Sequence, residues 1–332
     1  MAAFWLLIAA ALGLDGQASV AWGDGPVAFG DEPITPVPRA VPLDAGKVRL
    51  GEMLFHDTRL SDGDVVACAS CHRLAEGGDD NRARSTGLDG GLLDFNAPTV
   101  FNAALSFRLN WRGNFRTLEE QIEAVLQSPE LMNTTWEELL PKIRTDKGYR
   151  EAFLAVYGDE PEPAHVVDAL ATFERSLLTP DARFDRYLRG ERDALGVDEE
   201  HGYELFKSYG CVACHQGVNV GGNLFQKFGI FYDPFWSGGA VSEGDLGRLA
   251  VTGKEADRHV FRVPSLRNVG VTAPYFHDGR AASLEEAVEE MARSQLGRNL
   301  TGQEIDRIVA FLRTLTGEHQ GRPLAPDSDR PP

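Results

Sequence analysis

Two copies of one short motif, C-x-x-C-H, constrain this chain more than any other feature. Residues 68–72 read CASCH and residues 211–215 read CVACH, with no cysteine left over. Two thiols three positions apart can each form a thioether to one porphyrin edge, and the histidine that follows can ligate the iron. The pattern therefore predicts two covalently attached c-type haems. The residues concerned are Cys68, Cys71, His72, Cys211, Cys214 and His215.

Other chemistries also use paired cysteines, but they fit this pattern less well. The alternatives are an extracytoplasmic disulfide pair, a four-cysteine zinc site and a thioredoxin-like redox pair. None of them explains a histidine directly after both pairs, and a zinc site would have to join motifs in separate halves of the chain. Two haems are therefore the better interpretation.

Composition and charge narrow the classes of function. The chain has 332 residues, of which 42% are hydrophobic and 25% charged, as in an ordinary globular protein. Its net charge of −17 would repel nucleic acid and anionic lipid at long range. Nucleic-acid binding is therefore not expected. The charge either serves solubility or attracts a basic partner protein.

The sequence around the motifs is repeated. Residues 98–102 (PTVFN) resemble residues 264–268 (PSLRN), and residues 173–177 (FERSL) resemble residues 311–315 (FLRTL). A repeat of this kind predicts a duplicated domain. Each copy has apolar residues at helical spacing before its haem motif and after its long loop region. We therefore expect a mainly α protein of two tandem cytochrome c-like haem domains related by internal duplication.

Shifts in composition divide the chain into five parts. Residues 1–21 combine an apolar run with small residues suited to signal-peptidase cleavage, which predicts export to the periplasm. No Lys or Arg precedes the run, so an uncleaved anchor or a wrongly assigned start is the alternative. Pro and Gly in residues 22–44 predict a flexible linker. Haem domains are expected over residues 45–188 and 189–317, and a disordered tail over residues 318–332.

Four further stretches of the chain are distinctive. They are residues 54–61 (LFHDTRLS), 96–99 (NAPT), 263–268 (VPSLRN) and 272–279 (TAPYFHDG). In these stretches the chain resembles the bacterial di-haem cytochrome c peroxidase and MauG family. The resemblance implies a peroxide-reactive haem in the N-terminal domain, an electron-transfer haem in the C-terminal domain, and one calcium ion between them.

The resemblance implies that Met291 is the distal ligand of the C-terminal haem. Residues 290–297 (EMARSQLG) fall where the family's peroxidases place that ligand, whereas MauG-like enzymes carry Tyr there. A thioether is a soft ligand that raises the potential of a haem. The alternative is that Met291 fills the core on an apolar helix face. Its repeat counterpart is Val125, which cannot bind iron.

The first haem has no histidine where many peroxidases of the family carry a removable distal one. Counting back from residues 96–99 places Leu88 at that position. Leucine cannot ligate iron. Unless another loop supplies a ligand, we expect the oxidised haem to be five-coordinate or water-bound, and able to meet peroxide without prior reduction.

Cleavage of peroxide also needs a group that moves a proton. The family carries a glutamate in a Pro-x-Glu-Met stretch, but here Leu131 fills that position and Glu130 precedes it. On a helix this shift turns the side chain by about 100°. Glu130 therefore either reaches the pocket by local adjustment or is an ordinary solvated residue. Gln121 matches the family's pocket amide, the alternative being a helix-surface glutamine.

Two further features of the resemblance concern the space between the haems. Trp111 matches an aromatic bridge, where a buried indole relays an electron or fills space. The calcium ligands implied are the side-chain oxygen of Asn96 and the backbone carbonyls of Thr272 and Pro274. Oxygen donors suit that hard cation.

Three functions follow from these expectations. The first is reduction of hydrogen peroxide to water, with electrons from a small cytochrome c or cupredoxin. The second is MauG-like oxidation of a residue on a partner protein, which serves cofactor or copper-site maturation. The third is electron transfer alone, which a haem with a vacant iron position would serve poorly. A homodimer is left open.

Overall fold

The computed structural model describes residues 32–235 and 241–325. The signal peptide predicted at residues 1–21 lies outside the described residues, as do the beginning of the predicted linker and the end of the predicted tail. Within the described ranges, none of the helices has both the length and the apolar character needed to cross a bilayer.

Most regular structure in the described residues is helical, which confirms the predicted mainly α class. Two small antiparallel sheets complete it, and the first pairs Phe225 with Arg262. The helices are α1 (Ala45–Phe55), α2 (Cys68–Cys71), α3 (Leu118–Gln127), α4 (Trp136–Thr145), α5 (Lys147–Tyr157), α6 (Pro163–Ser176), α7 (Arg183–Leu188), α8 (Val197–Ser208), α9 (Leu249–Thr252), α10 (Leu284–Leu296) and α11 (Gly302–Arg313). The strands are β1 (Phe225–Lys227), β2 (Val260–Arg262), β3 (Glu318–His319) and β4 (Arg322–Pro323).

Polar residues directly before the helices fix where they begin. The Asp44 carboxylate accepts hydrogen bonds from the first amides of α1. The Thr117 hydroxyl accepts from the Glu120 amide at the start of α3, and the Ser283 hydroxyl accepts from the Glu286 amide at the start of α10. Each cap satisfies an amide that helix geometry leaves without an intrahelical partner.

Two pairs of helices cross at glycines. α1 crosses α6 at Gly51, where an added Cβ would lie 2.0 Å from the Ala169 carbonyl oxygen. α8 crosses α11 at Gly202, where an added Cβ would lie 1.9 Å from the Arg307 carbonyl oxygen. Only glycine lets the backbones approach so closely.

Two clusters of buried apolar residues form separate cores around these crossings. The first combines α1 with α3 to α6, and the second combines α8, α10 and α11. Phe55 and Phe153 are fully buried in the first, and Phe311 in the second. Full burial of such a side chain contributes about 1.5–3 kcal/mol. Each core packs behind one haem motif.

The boundary between the halves lies earlier than the predicted limit after residue 188. Phe184 on α7 is fully buried in the second core. Its ring centroid lies 4.7 Å from that of Tyr203 and 5.0 Å from that of Phe311. Since α7 packs into this aromatic cluster, residues 183–188 belong to the C-terminal half.

Part of the predicted linker packs against the C-terminal half. We call residues 33–37 the N-terminal strap, because they lie against the second half of the protein. Ile34 and Val37 are fully buried, and the Arg267 guanidinium donates to the Thr35 carbonyl over 2.9 Å. Arg267 also forms a buried ion pair of 2.7 Å with Asp185. The prediction of a linker over these residues was therefore wrong.

The beginning of the predicted disordered tail is also ordered. β3 and β4 pair as a small hairpin, and Leu324 is buried in the first core. The His319 ring lies 4.9 Å from that of Phe101, measured between centroids. The described part of the tail therefore closes over the N-terminal half.

Candidate active site

Both C-x-x-C-H motifs adopt single helical turns. Residues 68–71 form α2, and Cys211–Ala213 form a turn of 3-10 helix. In each motif the histidine amide donates to the carbonyl of the first cysteine over 3.0 Å. The two motifs therefore present their side chains from the same local backbone arrangement, and their four thiols are unpaired.

The electrostatics of the thiols argue against the alternative cysteine chemistries. Burial raises the pKa of the Cys68 thiol to about 12 and that of the Cys211 thiol to about 11. A thioredoxin-like pair depends instead on a lowered thiol pKa. The one cluster of potential metal ligands found among the described residues contains no cysteine, which argues against a zinc site.

The two motif histidines are held as neutral ligands. His72 Nδ1 donates to the Gly78 carbonyl over 3.1 Å, and His215 Nδ1 donates to the Val220 carbonyl over 3.2 Å. Burial lowers the pKa of His72, and it lowers the pKa of His215 to about 4. A neutral imidazole that donates through Nδ1 keeps the lone pair of Nε2 for a metal.

One cavity of about 820 Å³ has both motifs in its wall. Arg262 also lines it, is only 7% exposed, and has no carboxylate partner among the described residues. Its Nε donates to the Asn110 carbonyl, and burial lowers its pKa to about 10. A buried cation in an apolar cavity needs an anionic partner, and the propionates of a haem supply one. The residues present therefore fit haem groups.

Met291 lies on α10 in the wall of the cavity that also contains His215. One turn later, the Gln295 side chain accepts from the Gly229 amide over 2.7 Å and donates to the Lys227 carbonyl over 3.0 Å. These bonds tie the end of α10 to the loop after β1. A thioether thus shares the cavity with His215, and its ligation of iron stays a prediction.

Leu88 lines the same cavity from a turn next to Glu130. The Leu88 amide donates to the Glu130 carbonyl over 2.9 Å, which holds the two segments together. Besides the two motif histidines, His277 is the other described histidine in the cavity wall, and its Nε2 lies 2.8 Å from the Asp245 carboxylate. The remaining described thioether in the wall is that of Met132, which packs in the first core.

Glu130 and Gln121 reach the cavity from different kinds of structure. Glu130 lies in a turn after α3, so the helical rotation expected for the shift from Leu131 does not apply. Its side chain is exposed and borders the cavity. Gln121 lies on α3, half-buried in the cavity wall, and its amide donates to Asn110 Oδ1 over 2.6 Å. Catalytic roles for both stay predictions.

Trp111 lies in the cavity wall and is fixed at both its side chain and its backbone. The indole Nε1 donates to the Asn96 carbonyl over 2.9 Å, and the Trp111 carbonyl accepts from the Arg262 amide over 2.9 Å. The indole also packs edge-on to His277, with centroids 6.3 Å apart. An aromatic ring held this firmly suits a fixed bridge between two redox groups.

The predicted calcium ligands are brought together in part. Asn96 Nδ2 donates to the Arg82 carbonyl over 2.6 Å and lies 3.4 Å from the Pro274 carbonyl oxygen. Thr272 lines the neighbouring cavity wall. A half-turn of the Asn96 amide would point Oδ1 at the same place, where backbone oxygens already converge. Calcium at this place stays a prediction.

A second group of potential metal ligands already forms hydrogen bonds and ion pairs with other side chains. Ligand atoms of Asp245, His277 and Asp278 lie within 4.8 Å of one another. Arg280 bonds both carboxylates, over 3.3 Å to Asp245 and 2.7 Å to Asp278. Hydrogen bonds from His277 and Ser242 outweigh the effect of burial and hold the pKa of Asp245 well below its usual range. This group therefore acts as an ion-pair network.

Two residues of the cavity escaped the sequence analysis. Arg262 carries no local signal, because its importance depends on the cavity that β2 borders. Glu174 on α6 also lines the cavity, and burial raises the pKa of its carboxyl to about 8. The sequence repeat could have revealed Glu174, because the matching position in the second copy is an apolar residue, Leu312.

Comparison with known proteins agrees with this geometry. A family model described as di-haem cytochrome c peroxidase matches residues 45–193. The chain is 43% identical over 302 residues to the cytochrome c551 peroxidase of Nitrosomonas europaea, which covers 90% of this chain and 89% of that protein. It is 33% identical over 297 residues to the methylamine utilization protein MauG of Methylorubrum extorquens, covering 85% and 82% respectively.

A solved structure extends the comparison. The crystal structure of a MauG-like protein associated with microbial copper homeostasis superposes with a TM-score of 0.75 at 31% identity. The match covers 90% of this chain and 96% of that chain. The protein has two mainly helical halves, and each carries one C-x-x-C-H motif. This arrangement is that of a di-haem c-type cytochrome. The chain belongs to the di-haem cytochrome c peroxidase family, and it is an oxidoreductase of the peroxidase type.

Proposed function

We propose that this protein reduces hydrogen peroxide to water at its N-terminal haem. Electrons enter through the C-terminal haem from a small cytochrome c or cupredoxin. The observation that carries the proposal is one cavity whose wall contains both haem motifs together with Trp111. When bound, haem supplies the redox chemistry that amino-acid side chains lack.

The side chains around the first haem motif receive peroxide and handle its protons. Leu88 offers an apolar surface without a ligand atom, so a haem held by Cys68, Cys71 and His72 would be left accessible to peroxide. The Glu130 carboxylate, at the cavity edge, would take a proton from one oxygen of peroxide and return it to the other, leaving oxygen. Gln121, fixed by Asn110, orients peroxide by hydrogen bonding.

Trp111 is the proposed link between the two haems. Its indole is fixed by the Asn96 carbonyl, and its backbone by the amide of Arg262. The ring therefore keeps one orientation whether or not an electron is passing. A ring that does not move keeps the reorganisation energy of electron transfer small.

We also infer that the two halves arose by duplication, and matching backbone contacts support this. Asn102 and Asn268 both adopt left-handed conformations, with φ of 59° and 63°. The Asn102 amide donates to the Leu177 carbonyl, and the Asn268 amide donates to the Leu315 carbonyl. These pairs correspond in the sequence repeat. We further propose calcium at Asn96, Thr272 and Pro274, and export to the periplasm directed by residues 1–21.

A donor-oxidation assay tests the proposed reaction. The purified di-haem protein is mixed with reduced small cytochrome c or reduced cupredoxin, and peroxide is added. We expect two donor molecules to be oxidised for each peroxide consumed, since reduction to water takes two electrons. Trp111→Phe should slow donor oxidation while both haems remain attached. Peroxide consumption without donor oxidation would contradict the proposal.

MauG-like oxidation of a partner protein is the second candidate. Two departures from the family's peroxidase pattern favour it, namely Leu88 in place of a distal histidine and Leu131 in place of the expected glutamate. The likeness to MauG and to a MauG-like structure supports it as well. Proteins encoded beside this chain, added with peroxide and followed by mass spectrometry, should then gain a specific oxidation.

A further inference from the structure

Glu174 is a carboxyl group for which neither the fold nor the proposed reaction accounts. It lies in the last turn of α6, and its side chain is in the cavity wall with Cys68 and Leu170. It has no hydrogen-bond or ion-pair partner among the described residues. Its side chain is half-buried and faces the cavity, so a haem bound there would remove its remaining hydration without supplying a protein partner, which would destabilise the charged form of the carboxyl group.

The other half of the protein shows that this position does not require a carboxyl group. Glu174 follows Phe173, whose Cβ abuts the Gly51 crossing, just as Leu312 follows Phe311 at the Gly202 crossing. Leu312 lines the same cavity and is 4% exposed. Equivalent backbone positions therefore place a carboxyl group beside the first haem motif and an isobutyl group beside the second.

The charged side chains near Glu174 are largely paired with one another, so none of them fixes the protonation state of its carboxyl group. On α6 the neighbouring Arg175 pairs with Glu119 of α3 over 2.5 Å, so its positive charge is largely offset. Arg175 lowers the pKa of Glu174 and Glu119 raises it, but burial dominates and raises it to about 8. The crossing helix α1 carries Lys47, Arg49 and Glu52, of which Lys47 pairs with Asp168. Cys68 becomes an uncharged thioether once haem is attached.

We propose that Glu174 is a redox-linked proton site of the N-terminal haem. When that haem accepts an electron from the C-terminal haem, the Glu174 carboxylate takes up one proton from solvent. When the electron leaves for peroxide, the carboxyl group releases that proton. Each electron is thus accompanied by one proton, and the cavity keeps its net charge. The inference rests on the proposed placement of a haem at Cys68, Cys71 and His72, not on which substrate is oxidised.

The sign of the expected effect follows from charge alone. The oxidised haem carries one more positive charge and favours the ionised carboxylate, whereas the reduced haem favours the protonated form. The reduction potential of the N-terminal haem should therefore fall as pH rises through the range in which Glu174 titrates. The limit is a tenfold change in equilibrium constant per pH unit, which is about 59 mV for a one-electron couple.

Spectroelectrochemical titration of the full-length di-haem protein from pH 6 to pH 10, without peroxide or donor protein, tests the inference. In the wild type, the reduction potential of the N-terminal haem should fall as the pH rises. Glu174→Gln and Glu174→Leu should each remove that slope and hold the potential near the wild-type value at low pH. Glu119→Gln is the matched control, because it removes a neighbouring carboxylate outside the cavity. The slope should remain but move to lower pH, since Arg175 then acts on Glu174 without an offsetting partner.

A spectroscopic measurement on the wild type makes the test independent of the variants. The infrared difference spectrum between the reduced and oxidised protein should contain the C=O stretch of a protonated carboxylic acid, and Glu174→Gln should lose it. A flat potential in the wild type, a slope that survives Glu174→Gln, or the absence of the carboxyl band would each overturn the inference. None of these results would touch the proposed peroxide chemistry, which the donor assay tests separately.

Discussion

Single side chains make the two haem environments different. Val125 lies at the repeat position of Met291, and Glu174 at that of Leu312. The one cavity that both motifs line therefore contains the Met291 thioether from α10 of the C-terminal half, and Leu88 and the Glu174 carboxyl group from the N-terminal half. Soft ligation raises a haem's potential, and an unligated iron position admits peroxide. Under the proposed function, these substitutions would suit the second haem to hold electrons and the first to react with peroxide.

Met291→Ala tests the assignment of the second haem. Removing the thioether should convert a low-spin, relatively high-potential haem to a high-spin or water-bound one, because alanine offers no ligand atom. Electron paramagnetic resonance and magnetic circular dichroism report the change. Met53→Ala is the control, since Met53 is 45% exposed on α1 and should leave both spectra unaltered. An unchanged low-spin signal in Met291→Ala would make Met291 a core residue.

At the scale of helices, the glycine crossings hold each half together. Gly51→Ala would place a methyl group 2.0 Å from the Ala169 carbonyl oxygen, so α1 and α6 would have to separate. We expect a loss of about 1–3 kcal/mol in the free energy of unfolding. Urea denaturation followed by circular dichroism measures it. Gly302→Ala is the control, because an added Cβ there meets no atom within 4 Å; equal losses in both variants would refute the crossing argument.

The N-terminal strap depends on the buried ion pair beneath it. Arg267→Met leaves the Asp185 carboxylate without its partner in a buried site, and we expect the protein to lose about 3–5 kcal/mol of stability. Hydrogen exchange should show the amides of Ile34, Thr35 and Val37 losing protection. Arg313→Met breaks an exposed pair with Glu285 and should change stability by about 1 kcal/mol or less.

The double variant Arg267→Met/Asp185→Leu separates charge from packing. If the loss arises from the unpaired carboxylate, replacing Asp185 as well should recover much of the stability. No recovery would mean that hydrogen bonds to the strap, from Arg267 to the Thr35 carbonyl and from the Val37 amide to Asp185, hold it in place rather than the ion pair.

Local signals in the sequence were enough to predict the helical class and the two haem groups that the family implies. Thr117 and Ser283 are strong helix-capping residues, and C-x-x-C-H is complete within five positions. The strap could not be predicted in this way, because Pro-rich residues become ordered only against distant partners such as Arg267. The rotation expected for the Glu130 side chain assumes a helix, but α3 ends at Gln127, two residues before Pro129. Arg262 gained its role only from the cavity around it.

Over the whole molecule, one cavity connects the two motifs beneath a strongly acidic surface. The net charge of −17 favours a basic redox partner at long range, and such attraction weakens as salt screens it. The cavity, Trp111 and Arg262 lie between the halves, so neither half alone contains the complete site. Under the proposed function, the two haems therefore act as one reactive unit that is open to peroxide on its N-terminal side.

Rapid mixing of the fully oxidised protein with hydrogen peroxide tests that central claim most directly. Because Leu88 cannot ligate iron, we expect immediate spectral changes at both haems, with no need for prior reduction. Leu88→His should slow the reaction by about tenfold or more, since peroxide can bind only molecules whose imidazole has left the iron. Leu88→Ile, which adds no ligand atom, should react like the wild type. If the oxidised wild type is inert until half-reduced, another ligand such as Met132 closes the site, and the account of an open N-terminal haem is wrong.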